Sequence, residues 1–134
     1  MQSVISELKS LNPGAEPVLL AFSGGVDSRV LFDLLLKAKL PFAVAHVNFQ
    51  LRGAESEQDE QFVRELCRRE KVRAHIKRCA AQAYADEKGL STQMAARDLR
   101  YAYFEELMNR EGYAKLLTAH HRNDALETFL INLS

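Results

Sequence analysis

Apolar residues along the chain fall into two alternating patterns, and that alternation sets the expected architecture. Val18-Leu19-Leu20-Ala21-Phe22 is an almost unbroken apolar run, and Phe42 to Phe49 is a second. Short runs of this kind predict strands buried on both faces, which belong to a covered and usually parallel sheet. Between them Val30, Leu31, Leu34 and Leu35 recur at helical spacing, predicting a helix from Ser28 to about Lys39, where Pro41 forces a stop. A polar loop over residues 50–58, with Gly53 as a hinge candidate, leads into a helix from about Ser56 to Glu70. The expected core face of that helix is Phe62, Val63, Leu66 and Cys67. A shorter third strand follows from Val72 to Lys77, then an alanine-rich helical stretch from Cys79 to Gly89. Ser91 or Thr92 caps a longer helix to about Arg110, with Ala95, Leu99, Phe104, Leu107 and Met108 buried and Gly112 ending it. Ala114 to Ala119 reads as a fourth strand, and a final helix is expected from Asn123 with Leu126, Phe129, Leu130 and Leu133 apolar.

Ahead of all this, Val4, Ile5, Leu8 and Leu11 make a short helical pattern closed by Asn12-Pro13-Gly14. No repeat or linker interrupts the order. The fold class expected is therefore α/β, a doubly wound and mainly parallel sheet with right-handed crossovers and strand order 3-2-1-4. Any fifth strand is expected beyond the end of the chain. Because the last pattern is helical and lacks a cap, residues 1–134 are expected to be one domain of a longer protein.

The candidate chemistry begins where the first apolar run ends. Ser23-Gly24-Gly25-Val26-Asp27-Ser28 joins a buried strand to an amphipathic helix. Two glycines permit a sharp turn and close approach of backbone N–H groups to a ligand. The helix N-terminus beyond them carries partial positive charge, so the turn suits an anion, above all phosphate. Ser23 and Ser28 can donate hydroxyl hydrogen bonds to phosphate oxygens, and Asp27 can hold a divalent cation. The alternative is a plain turn in which Asp27 or Ser28 only caps the helix. No lysine follows the glycines as a Walker-type loop requires, and the Gly-x-Gly-x-x-Gly dinucleotide fingerprint is absent.

Composition narrows the setting. A length of 134 residues fits one domain, and 47% hydrophobic with 27% charged residues is ordinary for a globular one. No apolar run approaches a membrane span and the N-terminus has no secretory pattern, so no membrane partner and a cytoplasmic location are expected. Cys67 and Cys79 lack CxxC spacing and predict neither a disulfide framework nor a metal knuckle. The 18 basic and 18 acidic residues cancel, so any contact with RNA must come from a local patch or from parts of the protein outside this chain. The run of Arg64, Arg68, Arg69, Lys71, Arg73, Lys77 and Arg78 reads better as a solvated surface than as that patch.

With strand order 3-2-1-4, the order reverses between the first and fourth strands, and ligands of open α/β sheets bind at such a reversal. The loop carrying Ser23 to Ser28 would then face Thr118-Ala119-His120-His121-Arg122-Asn123-Asp124 across one crevice. Asp27 and Asp124 are expected to share a magnesium ion bridging phosphates, with Glu127 one turn further on. The competing reading makes Asn123 or Asp124 a helix cap. Adjacent histidines point apart, which excludes zinc chelation by His120 and His121.

Ser23 to Ser28 resembles the SGGxDS loop of the PP-loop, or N-type, ATP pyrophosphatases. Three more stretches resemble the tRNA(Ile)-lysidine synthases within that superfamily. His46-Val47-Asn48-Phe49-Gln50-Leu51-Arg52 is similar to their HVNHxLR, Ala95 to Tyr101 to their AARxxRY helix, and Thr118 to Thr128 to their TAHHxDDxxET segment. The resemblance spans nearly the whole chain and implies a Rossmann-like fold of the adenine nucleotide alpha hydrolase kind. It implies an N-terminal catalytic domain, with C-terminal tRNA-binding domains lying outside these residues. It also implies a ligase that adenylates C2 oxygen of the wobble cytidine of tRNA(Ile) with a CAU anticodon, using ATP and Mg2+. Free L-lysine then displaces AMP. Ser23, Gly24, Gly25, Val26, Asp27 and Ser28 would grip pyrophosphate, Asp27 and Asp124 the metal, and Arg97 or Arg100 a phosphate or the AMP group. His46 would lie beside adenine, or is simply a satisfied buried histidine. For the arginines the other reading is a surface ion pair with Glu105 or Asp98.

Two positions depart from the pattern. Phe49 stands where the second histidine of HVNH is expected, and Asn123 replaces the first aspartate of the DD pair. No acid–base role of that histidine carries over. The readings in competition are a PP-loop tRNA thiolase, which the lack of CxxC disfavours, and a non-catalytic ATP-binding module.

Overall fold

The computed structural model describes residues 16–23, 25–113, 115–122 and 125–132, and from His120 onward only the course of the backbone. Five strands form one sheet: β1 (Val18–Ala21), β2 (Phe42–Asn48), β3 (Arg73–Arg78), β4 (Lys115–Arg122) and β5 (Ala125–Asn132). Four helices connect them: α1 (Val26–Ala38), α2 (Ala54–Glu70), α3 (Ala81–Lys88) and α4 (Thr92–Glu111). The sheet order is β3-β2-β1-β4-β5. The expected reversal between the first and fourth strands is present. β1 pairs in parallel with β2 on one side (Ala21 opposite Ala45) and with β4 on the other (Ala21 opposite Thr118).

Successive side chains of a strand point to opposite faces, and β1 feeds two cores in this way. Val18, Leu20 and Phe22 pack with Leu31, Phe32, Leu34 and Leu35 of α1 and Val63, Leu66 and Cys67 of α2. Leu19 joins Ala43, Ala45 and Val47 against Tyr103, Phe104, Leu107 and Met108 of α4. Helices thus cover both faces, which is why β1 and the first four residues of β2 are apolar on both faces. Ser91 caps α4 by accepting a hydrogen bond from the Met94 N–H, and Gly112 ends it at φ 81°. A left-handed residue at that place satisfies a last carbonyl at no Cβ penalty.

Two expectations are corrected. Residues 125–132 are a strand, not a helix: β5 runs antiparallel to β4 from Arg122–Ala125 to Lys115–Asn132. The fifth strand therefore lies within the chain rather than beyond it. Leu126, Phe129 and Leu130 have helical spacing, but Thr128, Phe129 and Ile131 favour strands, and β4 would otherwise present an unpaired edge. Phe62 is the second correction, being 43% exposed. The buried arc of α2 is Ser56, Glu60, Val63, Leu66 and Cys67, which leaves Phe62 at its margin, where the Arg29 guanidinium covers the ring at 6.0 Å. The helical pattern over residues 4–11, and Gly24, Asn123 and Asp124, lie outside the described residues.

Candidate active site

The turn after β1 is closed by its own serines. Ser28 Oγ accepts from the Ser23 N–H at 3.1 Å, Ser23 Oγ accepts from the Gly25 N–H at 3.2 Å, and the two hydroxyl oxygens are 3.0 Å apart. Two hydroxyls carry two protons and their mutual bond uses one. The other is left to donate to an anion. Gly25 is the N-cap of α1 and no side chain caps it. Neither Asp27 nor Ser28 is therefore a plain cap, and the first N–H groups of α1 stay open to a ligand. Gly25 has φ −84°, and a Cβ there would meet only Ser23 Oγ at 3.5 Å. Among the described residues that is an ordinary van der Waals contact, so the need for glycine at this position does not come from them.

Beyond the carboxyl ends of β1, β2 and β4 lies a cavity of about 410 Å³. Ser23 and Ser28 line it, with His46, Asn48, Phe49, Leu51 and Arg52 from β2 and the loop after it. Asp59 of α2, Arg100, Tyr101 and Phe104 of α4, and Thr118 and Ala119 of β4 also line it. The turn after β1 and two residues of β4, Thr118 and Ala119, open onto one space, but Thr118 to Arg122, expected in a loop after the fourth strand, belong to β4 itself because β5 pairs with them. Of the other residues singled out from sequence, Gly25, Val26, Asp27 and Arg97 do not line it. Asp124 lies outside the described residues, so its distance from Asp27 is not part of this geometry.

The two arginines of α4 separate cleanly. Arg97 is exposed and its guanidinium lies over the Tyr101 ring at 5.7 Å. Arg100 is half-buried in the cavity wall and stacks on Phe49 at 5.3 Å. Neither makes an ion pair with Asp98 or Glu105 among the described residues. A guanidinium in a cavity wall with no carboxylate partner among the described residues is suited to an anionic group of a ligand.

His46 is buried at the end of β2. Its Nδ1 lies 2.8 Å from the Phe22 carbonyl oxygen, which can only accept, so Nδ1 carries the proton. Nε2 is then a lone-pair acceptor, buried and without a partner among the described residues. Burial also pushes the imidazole pKa below its ordinary value, and His75, beside Tyr113, is lowered in the same way. Both are thus neutral in the fold and more basic when unfolded. As pH falls below about 6.5 the unfolded chain takes up protons first, so stability is lost on the acidic side. Thermal melts at pH 7.5 and 5.5 should show a lower Tm at the acidic value. His46→Asn, which retains a donor for Phe22 but cannot titrate, should reduce the difference; an unchanged difference would mean His46 charges freely in the fold.

Asp27 sits in the first turn of α1, half-buried and with no hydrogen bond or ion pair to a described residue. Magnesium asks for only one or two carboxylates, the remainder coming from phosphate and water. Among the described residues no three His, Cys, Asp or Glu side chains cluster as a metal cage. Asp27, beside the turn after β1, could supply one such carboxylate.

Sequence reasoning missed the polar frame under the loop after β2. Glu60 is fully buried, in contact with Asn48, Arg64 and Arg78, and the arginine bonds bring its carboxyl pKa down to about 2. The available signal was its spacing, four residues from Ser56 and three from Val63, on the buried stripe of α2.

Comparison with known proteins agrees with this geometry. The family model of the PP-loop domain matches residues 1–134. A tRNA(Ile)-lysidine synthase of Bacteroides thetaiotaomicron is 45% identical over 118 residues, 88% of this chain and 28% of that protein. Its counterpart in Bacillus subtilis is 40% identical over 120 residues, 87% of this chain and 25% of that protein. The chain thus spans little more than a quarter of these relatives. The solved structure of NMN synthetase from Francisella tularensis superposes with a TM-score of 0.64 at 23% identity, over 86% of this chain and 50% of that one, a likeness of fold. Matched from its first residue to its last, the chain belongs to the PP-loop domain family.

Proposed function

We propose that this domain is the ATP-binding catalytic part of a tRNA(Ile)-lysidine synthase. The observation that carries the reading is convergence. Four stretches similar to those enzymes, far apart in sequence, each contribute to one cavity: Ser23 and Ser28, His46 to Arg52, Arg100 with Tyr101, and Thr118 with Ala119. Relatives 40–45% identical over most of the chain bear the same name.

In this reading the C2 oxygen of the wobble cytidine in a CAU-anticodon tRNA attacks the α-phosphorus of ATP. The new O–P bond forms as the bond to pyrophosphate breaks. The side-chain amine of free lysine then attacks C2, a C–N bond forms, AMP leaves with the oxygen, and the amine loses a proton to solvent. The spare serine hydroxyl and the uncapped N–H groups of α1 stabilise charge on the departing pyrophosphate. Arg100 holds the phosphate of the AMP group, its plane kept in place by Phe49. His46, in the cavity wall at the end of β2, lies beside the nucleoside. Asp27, with Asp124, would hold Mg2+, which when bound neutralises phosphate charge. Among the described residues no helix is long and apolar enough to cross a membrane.

The test is label transfer. Full-length protein, ATP, Mg2+, labelled lysine and the tRNA should yield labelled RNA, with pyrophosphate release dependent on the tRNA. Pyrophosphate release with another acceptor and no transfer of lysine would place the protein elsewhere in the family.

A further inference from the structure

The buried carboxylate of Glu60 has no part in the reaction just described, yet it touches the segment that forms the cavity rim. Its side chain is 0% exposed and accepts four hydrogen bonds. Arg78 gives two, Nε to Oε1 at 2.8 Å and Nη2 to Oε2 at 2.7 Å. Arg64 Nε gives a third at 3.1 Å and Asn48 Nδ2 a fourth at 3.1 Å.

The Asn48 bond has a consequence for the rim. A carboxylate only accepts, so Asn48 must turn its NH2 group to Glu60 and to Glu57, whose Oε1 is 3.2 Å away. Its carbonyl Oδ1 is thereby left facing the Gln50 N–H, which it meets at 2.9 Å. Gln50 has φ 57°, an uncommon backbone for a residue with a side chain, and the Asn48 side chain holds its N–H while the neighbouring Phe49 carbonyl accepts from the Ala81 N–H at 3.4 Å. On either side of Gln50 the chain lines the cavity through Phe49, Leu51 and Arg52. Phe49 in turn carries the Arg100 guanidinium.

We infer that Glu60 is a positioning residue: it orients the Asn48 amide, and through Asn48 it sets the loop that forms one rim of the nucleotide cavity. The loop placement rests on the geometry alone, whereas its consequence for ATP rests on the function proposed above. The experiment keeps the two apart. In nucleotide-free full-length protein, Glu60→Gln presents an NH2 group to Asn48 or Arg78 and is expected to speed amide hydrogen exchange at Gln50 by tenfold or more. Leu19 and Leu20 in β1 should exchange as before. In pyrophosphate release the same variant should raise KM for ATP about tenfold with kcat within a factor of two, the pattern of lost ground-state positioning. Asn48→Ala, which leaves Glu60 its arginine partners, should reproduce both effects, and the double variant should be no worse than either single one. Glu65→Gln, breaking a surface pair with Arg68 on the same helix, should change neither. Unchanged exchange at Gln50, a uniform rise across the sheet, or multiplying effects in the double variant would overturn the inference. Faster exchange confined to the loop in a protein that releases no pyrophosphate would sustain it and sink the proposed function instead.

Discussion

Asp27→Asn in the full-length protein is expected to slow pyrophosphate release by about 10²–10³-fold, the scale of removing one charge-stabilising group from a phosphoryl site. The fold gives the carboxylate little to do. It makes no bond to a described residue, so its structural contribution is its charge in the first turn of α1. A charge so placed is worth about 0.3–1 kcal/mol, which moves Tm by a few degrees at most. Asparagine keeps the size and one carbonyl oxygen but loses the negative charge a magnesium ion needs. The rate measured against Mg2+ concentration is therefore the decisive readout, and the variant should need more of the ion to reach its lower plateau. Activity within a factor of three of the parent at the same Mg2+ would reduce Asp27 to a helix-dipole complement.

What was legible in the sequence followed the range of the interactions concerned. Strand order 3-2-1-4 was readable because each apolar run is contiguous and each crossover helix has its own period. Ser23, Ser28 and His46 could be named because each sits at or near the end of an element, and the ends of β1 and β2 open onto the cavity, whereas Arg100, in the middle of α4, was named through the resemblance of its helix. Arg97 looked equivalent to Arg100 from spacing alone. Three residues along a helix turn a side chain by about 60°, enough to put one guanidinium in the wall and the other over Tyr101 outside it. Glu60 was illegible for a different reason. A carboxylate on a charged helix reads as solvent-exposed, and the partner that justifies its burial, Arg78, lies 18 residues on in β3. β5 shows the limit of periodicity: residues 125–132 satisfy a helical and a strand pattern together, and pairing with β4 decides between them.

The second large effect is on stability and reaches the turn from below. Phe32 of α1 is fully buried, edge-on to Phe22 at 5.8 Å and to Phe42 at 5.3 Å. Phe32→Ala removes the middle ring of this stack and should cost about 3–5 kcal/mol, from lost transfer energy and the cavity left behind. Against the roughly 5–15 kcal/mol that holds a domain folded, that lowers Tm by about 10–20 °C. Phe32→Leu keeps most of the volume and should cost only about 1 kcal/mol. The consequence for the site follows from Phe22, which immediately precedes Ser23. Its N–H donates to the Ala45 carbonyl at 2.9 Å and its own carbonyl accepts from His46. Phe22 thus ties the start of the turn after β1 to β2, and Phe32 is the ring it rests on. Well below its Tm, Phe32→Ala should therefore also bind nucleotide more weakly, while Phe32→Leu stays near the parent. Circular dichroism melts and nucleotide titration of the two variants measure both effects. A Tm shift under 5 °C for Phe32→Ala would mean that Phe22 and Phe42 close over the gap, and the turn would then owe its placement to the hydrogen bonds of Phe22 rather than to its ring.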